Sequence, residues 1–276
     1  MKYDPVAIDL NVDAALLLKD IVGIDSYPSV LALLPNIYRI EDRDRVHAAV
    51  SAELTELGIM TEGRAHPEVQ RWLSCLYRPD VELNARVVDT GLGGDAKAML
   101  RLALVRRGES HVLAVRCGDE VVIQPVFHEQ GRSDTVSAAV SAALGPCPPL
   151  PFTPLTATLD EFSEIPSEPI ERRQALLELG AQPQTATVLT RALDELSRRA
   201  EIVLVEHRDG GSVATKVCLS VLDTFSGRIV VTPGIAMDGE IRSTYAPGDD
   251  AALAAGIAAL IDLLPSRSWF SANRIR

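Results

Sequence analysis

The order of elements in this chain is written twice, and that duplication limits the folds open to it. Glu53-Leu-Thr-Glu-Leu-Gly58 aligns with Ala175-Leu-Leu-Glu-Leu-Gly180 at an offset of 122, and Glu82 to Asp89 aligns with Glu201 to Arg208 at 119. His111 to Cys117 aligns with Gly227 to Pro233 at 116, Glu120 to Phe127 with Asp238 to Tyr245 at 118, and Leu144-Gly-Pro146 with Leu263-Leu-Pro265 at 119. Chance would not keep the offset so narrow through successive elements. A unit this long exceeds a solenoid repeat and suits a duplicated subdomain. We therefore expect one globular unit built from two halves, residues 1–150 and 151–276, joined across a connector at about 146–169 that holds seven prolines.

A chain of 276 residues can bury about 75% of its unfolded surface in a shared core. No apolar run reaches the roughly 18 residues of a membrane span, and the N-terminus lacks a basic-then-apolar signal pattern, so no membrane insertion and a cytoplasmic location are expected. The formal charge of −11 repels phosphate backbones and argues against nucleic acid as a partner. Cys75, Cys117, Cys147 and Cys218 lie far apart with no C-x-x-C pair, which predicts reduced, buried thiols.

Hydrophobic periodicity assigns the elements. Val6, Ile8, Leu10 and Val12 alternate as a strand with one buried face, and Asp13 is placed to cap the helix that runs on to Gly23. Val46, Val50, Leu54 and Leu57 share a face of a second helix over residues 42–57, stopped by Gly58. Pro67 opens a third, with Val69, Trp72, Leu73 and Leu76 as its apolar stripe. Four strands follow at 81–89, 98–106, 111–117 and 121–127, and Gly118-Asp119 fits a two-residue hairpin turn. The second half repeats them at 202–207, 213–222, 228–232 and 240–245, before a helix capped by Asp249 with Leu253, Ile257, Leu260, Ile261 and Leu264 on one face. Hairpin-length links make the sheet antiparallel. Alternation gives each sheet strand one apolar face for a helical layer and one mixed face that can meet a partner.

No catalytic constellation assembles. His207-Arg208-Asp209 copies three letters of the kinase catalytic loop, yet Ala214 stands where that loop needs a metal-binding Asn, and Asp209-Gly210-Gly211 suits a tight turn. Gly91-Leu-Gly-Gly94 has the wrong spacing for a dinucleotide loop and precedes a strand instead of a helix. His47, His66, His111, His128 and His207 have no metal-ligand spacing and are expected at the surface or at hairpin ends. An enzyme with a dispersed site would draw on Gly91 to Gly94 and His207. Trp269-Phe270 either folds back onto the core or anchors a partner.

Glu201-Ile-Val-Leu-Val-Glu-His-Arg-Asp-Gly210, Leu222-Asp-Thr-Phe-Ser-Gly-Arg228, Ser243-Thr-Tyr-Ala-Pro-Gly248 and Leu264-Pro-Ser-Arg-Ser-Trp-Phe270 resemble the C-terminal half of EspG proteins, ESX (type VII) secretion-associated chaperones of mycobacteria and relatives. Gly23-Ile-Asp-Ser-Tyr-Pro-Ser-Val-Leu31 and Glu53 to Gly58 extend the resemblance into the first half. It implies an α/β (α+β) fold with a central antiparallel sheet, helical bundles and two pseudo-twofold-related halves. It also implies a non-enzymatic cytosolic chaperone, without cofactor or metal, that binds the PPE subunit of a PE–PPE heterodimer. A client-free homodimer is a further expectation, and a self-associating module without a secretion client is the alternative. Strand alternation, and not the resemblance, nominates the contact residues: Arg101, Lys216, Ser220 and Arg242 on the mixed face, with Leu92 and Lys97 from the loop between two strands.

Overall fold

The computed structural model describes residues 4–35, 40–89, 99–126 and 134–274. Leu92, Lys97 and the Gly91 to Gly94 loop lie outside them. In the first half, strand β1 (Ile8–Asn11) leads into helix α1 (Val12–Val22), a 3-10 turn (Ser29–Leu31) and α2 (Ile40–Glu56). After the small β2 (Met60–Thr61) and β3 (Arg64–Ala65) ribbon come α3 (Pro67–Tyr77), β4 (Val81–Asp89), β5 (Met99–Arg107), β6 (Ser110–Cys117), β7 (Glu120–Pro125) and α4 (Asp134–Leu144). The second half runs β8 (Leu155–Thr158), α5 (Leu159–Ser163), α6 (Pro169–Glu178), α7 (Pro183–Asp194), β9 (Leu196–Arg208), β10 (Gly211–Ala214), β11 (Leu219–Thr224), β12 (Gly227–Ile235), β13 (Ile241–Pro247) and α8 (Asp250–Asp262).

Local chemistry sets the boundaries. The cap of α1 is Asn11, whose Oδ1 accepts from the Ala14 N–H at 2.8 Å, so Asp13 sits in the first turn and does not cap. Gly23 closes that helix at φ 74°. Asp249 caps α8 as its side chain predicts, accepting from Ala252 N at 2.8 Å. Leu57 lies beyond the end of α2 and is 61% exposed, unlike Val50 and Leu54 of its proposed stripe. The proline-rich stretch is more than a connector, since it holds β8, which pairs with β13, and α5, closed by a Thr158–Glu161 capping box. Of the cysteines, only Cys75 is buried and the other three are half-buried; all four are free thiols.

The strands order as β1-β7-β6-β5-β4-β9-β11-β12-β13-β8, all antiparallel, with β10 also on β9. Equivalent strands of the two halves thus run outward from the central β4–β9 pair. The register locates the pseudo-twofold axis. Asn84 pairs opposite Val203, which is also its counterpart at the sequence offset of 119. The alternation over 213–222 predicts one strand, but the structure splits it. Ala214 pairs with Val205 and Leu219 with Ile202, so four residues bulge opposite two of β9, with Thr215 Oγ1 accepting from Leu204 N at 3.2 Å. The surplus is even, so Leu219 and Val221 keep their face.

Helices α4 and α8 cover the middle of one sheet face, where Leu83, Leu102, Leu104, Ile202, Leu204, Leu219 and Val221 meet Val140, Leu144, Leu253, Ile257 and Leu260. On the reverse face, α1 to α3 cover β1 and β5 to β7, and α6 and α7 cover the outer strands of the second half. The last segment of each half crosses to the hairpin of the other. Arg228, on β12, donates to Gly145 O at 3.1 Å beyond α4 and is held by Asp223 at 2.6 and 2.9 Å. Arg106, on β5, donates to Trp269 O at 2.6 Å, to Gly108 O at 2.9 Å and to Ala272 O beyond α8. The buried cross-strand pairs Arg106/His111 and Asp223/Arg228 are counterparts at an offset of 117. Trp269 therefore folds back onto the core, 1% exposed, with its Nε1–H 3.0 Å from His111 Nε2.

Candidate partner-binding face

On the reverse face, the residues of β4, and of β9 beyond Leu196, belong to neither helical layer. One transverse row crosses the sheet there through directly paired residues: Val121, Arg116, Arg101, Arg86, Glu201, Ser220, Val231 and Tyr245. Its ends lie under helices, with Val121 in the core of α1 to α3 and Tyr245 packed beside α5 to α7. Between them Arg86 and Glu201 are exposed, and Arg101 and Ser220 are half-buried. Strands about 4.8 Å apart make the opening from β5 to β11 about 15 Å wide, enough for one helix of a partner, about 10–12 Å across.

Three arginines abreast repel one another. Burial, then the charges of Arg116 and Arg86, hold Arg101 below the usual guanidinium range. Two of them are occupied: Arg101 donates to Val30 O at 3.3 Å, and Arg116 donates to Leu31 O at 2.9 Å and to Ala32 O, so both hold the 3-10 turn against the sheet. Arg86 has no ion-pair partner among the described residues, whereas Glu201 is met by Arg199 at 2.6 Å. The open positive charge in the row is therefore that of Arg86.

Toward the other end of the strands the floor turns apolar, through half-buried Val203 and Val205. The β12–β13 hairpin adds Ile235, 58% exposed, paired with Ile241 on the same face, and Met237 at its tip. A polar cluster underlies this end: Glu82 accepts from Asn84 Nδ2 at 2.5 Å and sits 3.0 Å from His207 Nε2. His207 and His111 stand at hairpin ends, as expected, and both are tied into interior networks there.

Of the nominated contact residues, Arg101 and Ser220 share this row. Lys216 is exposed in the bulge between β10 and β11, off the strand ladder. Arg242 pairs with Thr158 and lies three residues from Tyr245, which places it on the opposite face beside Asp238 and Glu240, each 3.5 Å away. Arg101 and Ser220 keep the face that alternation gives them, the bulge displaces Lys216 from it, and Arg242 falls on the other face. Arg86, Arg116 and Glu201 were not nominated; the alternation of β4, β6 and β9 carried them, but only the register puts them in one line.

Residues 11–259 match the model of the EspG family. The chain belongs to that family. The ESX-1 secretion-associated protein EspG1 of Mycobacterium marinum is 32% identical over 268 residues, covering 96% of this chain and 91% of that protein. The ESX-3 secretion-associated protein EspG3 of Mycolicibacterium smegmatis is 34% identical over 278 residues, covering 96% and 90%. Among solved structures, the Mycobacterium tuberculosis type VII secretion system chaperone EspG5, in complex with a PE25–PPE41 dimer, superposes with a TM-score of 0.80 at 19% identity, covering 97% of this EspG chain and all of that one. Among the described residues no helix is long and apolar enough to cross a membrane.

Proposed function

We propose that this EspG protein is a non-enzymatic chaperone of the cytoplasm that binds the PPE subunit tip of a PE–PPE heterodimer, keeps the pair soluble and targets it to an ESX type VII secretion system. The observation that carries the reading is the open trough over β4 and β9, charged at one end and apolar at the other, in a chain of this family. The solved complex of the related EspG5 supports a PE–PPE client for it. A helical client with an apolar tip aggregates when free. Docking that tip on Val203, Val205, Ile235 and Ile241 removes apolar area at about 25 cal/mol per Å², and a standard interface of about 1,600 Å² suffices for a stable complex. Arg86 and Arg101 then select clients whose tip places a carboxylate or helix-end carbonyls over the row. The two halves, 1–150 and 151–276, act as one unit, because the trough lies across their seam.

Co-expression with the PE–PPE pair of its own secretion locus tests this. A single heterotrimeric peak is expected, and Arg86→Glu, at an exposed position, weakens it by about tenfold or more without lowering the melting temperature. Separate elution of chaperone and client would refute the proposal.

A further inference from the structure

A second cleft, of about 1,090 Å³, opens between α3, the β5–β6 hairpin and the C-terminal segment. Arg107, on its wall, is six residues along β5 from Arg101, about 20 Å away, so this cleft is distinct from the trough. Four arginines line it, Arg71, Arg78, Arg107 and Arg274, with two carboxylates, Asp80 and Asp209. That excess of positive charge stands on a chain whose formal charge is −11.

Internal contacts leave most of this charge unspent. Arg71 pairs with Glu68 within α3. Arg107 gives one N–H to Ser74 O at 3.0 Å, and Arg274 uses its backbone N–H on Asp80 at 3.0 Å. Arg78, Arg107 and Arg274 have no ion-pair partner among the described residues. Asp80 is consumed inside: it also accepts from Gly108 N at 2.8 Å and lies 3.6 Å from Arg106. Among the described residues that line the cleft, Asp209 is then the carboxylate left to face the three unpaired guanidinium groups.

The chemistry of the walls separates ligand classes. A phosphate dianion accepts hydrogen bonds and would leave Asp209 and the amide oxygens of the wall without a donor to meet them. The lining carries acceptors as well as donors, with Gln70 and Asn273 between the arginines, which suits a chain bearing carboxylates and backbone N–H groups together. Among the described residues no aromatic ring lines the cleft to stack a base. We infer that this cleft binds an extended acidic peptide segment of a protein partner, as a second interaction site independent of the trough. Arg78 and Arg107 take its carboxylates, and the amide side chains meet its backbone.

Fluorescence anisotropy with a fluorescein-labelled peptide of alternating Glu and Gly tests the inference on the full chain. The Glu peptide should bind, its Gln analogue about tenfold more weakly, and Arg78→Glu with Arg107→Glu should cost a further loss of about tenfold. Both positions are exposed, and an unchanged melting curve establishes that the variant folds. Arg78→Gln alone should give a smaller loss in the same direction, and Arg86→Glu should leave peptide binding unchanged while it impairs client binding. No binding, equal binding of the Glu and Gln peptides, or insensitivity to the double variant would overturn the inference. Displacement of the peptide by pyrophosphate at lower concentration than by unlabelled peptide would overturn it in favour of a phosphate ligand.

Discussion

Replacing Arg106 by Met keeps the aliphatic stem and removes the guanidinium that ties the C-terminal segment to β5. Arg106 is 2% exposed, and its three donors reach Trp269 O at 2.6 Å, Gly108 O at 2.9 Å and Ala272 O. Each hydrogen bond from a charged group contributes about 1.5–3 kcal/mol, but the three share one side chain and do not add. Removing one member of a buried charged cluster costs about 3–5 kcal/mol, so we expect a loss of about 4 kcal/mol. With a urea dependence of about 3 kcal/mol per M or more for a chain this large, the midpoint falls by about 1 M. The chain has two tryptophans. In a Trp72→Phe background, fluorescence reports Trp269 alone and shows whether the segment leaves before the sheet unfolds. Arg107→Met is the control, because its neighbour is exposed and gives a single N–H to Ser74 O at 3.0 Å, which predicts a change under about 1 kcal/mol. If Arg106→Met moves the midpoint no more than Arg107→Met does, the guanidinium does not hold the segment and the reasoning fails.

Gly227→Ala should lower the melting temperature by about 5–10 °C, a loss of about 2–3 kcal/mol, since Gly227 has φ 140° and a Cβ there would meet Leu150 N at 2.8 Å and Pro148 O at 2.9 Å. Gly234→Ala, with nothing within 4 Å, should be nearly neutral in the same scan. Burial pushes the Cys75 thiol from 9.0 up to about 12, so the folded state holds that proton more tightly than the unfolded chain does. Its contribution to stability is complete below pH 9 and is lost as pH rises from about 9 to about 12. Cys75→Ala should flatten that alkaline limb, and iodoacetamide at neutral pH should spare Cys75 until the chain unfolds. Burial raises the Glu206 carboxyl, but hydrogen bonds from Ser266, with further help from Arg208, outweigh it and hold the group below the ordinary range. That stability is present above the ordinary carboxylate pKa and lost as pH falls through and below it. Glu206→Gln should therefore flatten the acid limb, measured by Trp269 fluorescence.

The fold was legible because the strongest signals in the chain are local and doubled. Periodicity of 2 bounds β4 at Val81 and Asp89, Pro67 and its apolar stripe fix α3, and Gly118, at φ 61°, makes the predicted hairpin turn. The errors fall where a side chain competes with the ladder. Thr215 Oγ1 takes the Leu204 N–H and opens a bulge inside a run that alternates without a break, and Asn11 takes the capping role two residues ahead of Asp13. Proline density hid β8, which tolerates its flanking prolines because it lies at the end of the sheet, where one side of the strand has no ladder to supply. The candidate face was half legible, since Arg101 and Ser220 lie on it. Which residues stand in line across several strands depends on register, and register is a long-range property that alternation within one strand does not contain.

The duplication also explains why the trough has a direction. About the axis at Asn84 and Val203, Glu82 is the counterpart of Glu201, and Arg86 is the counterpart of Val205. A strictly symmetric ancestor would present the same chemistry at both ends of the opening and could not distinguish a client from the same client turned around. Divergence at the second of these position pairs removes that ambiguity. One end of the trough now carries an exposed guanidinium in line with Arg101 and Arg116, while the equivalent end carries Val205 with the apolar hairpin residues Ile235 and Ile241 beside it. The pairing of β4 with β9 holds these ends at a fixed separation of four residues along the strand, about 13 Å. A client whose greasy tip and acceptor groups are spaced to match docks in one orientation, and its reverse leaves a charge against Val205 and apolar side chains against Arg86, each a desolvation cost without compensation.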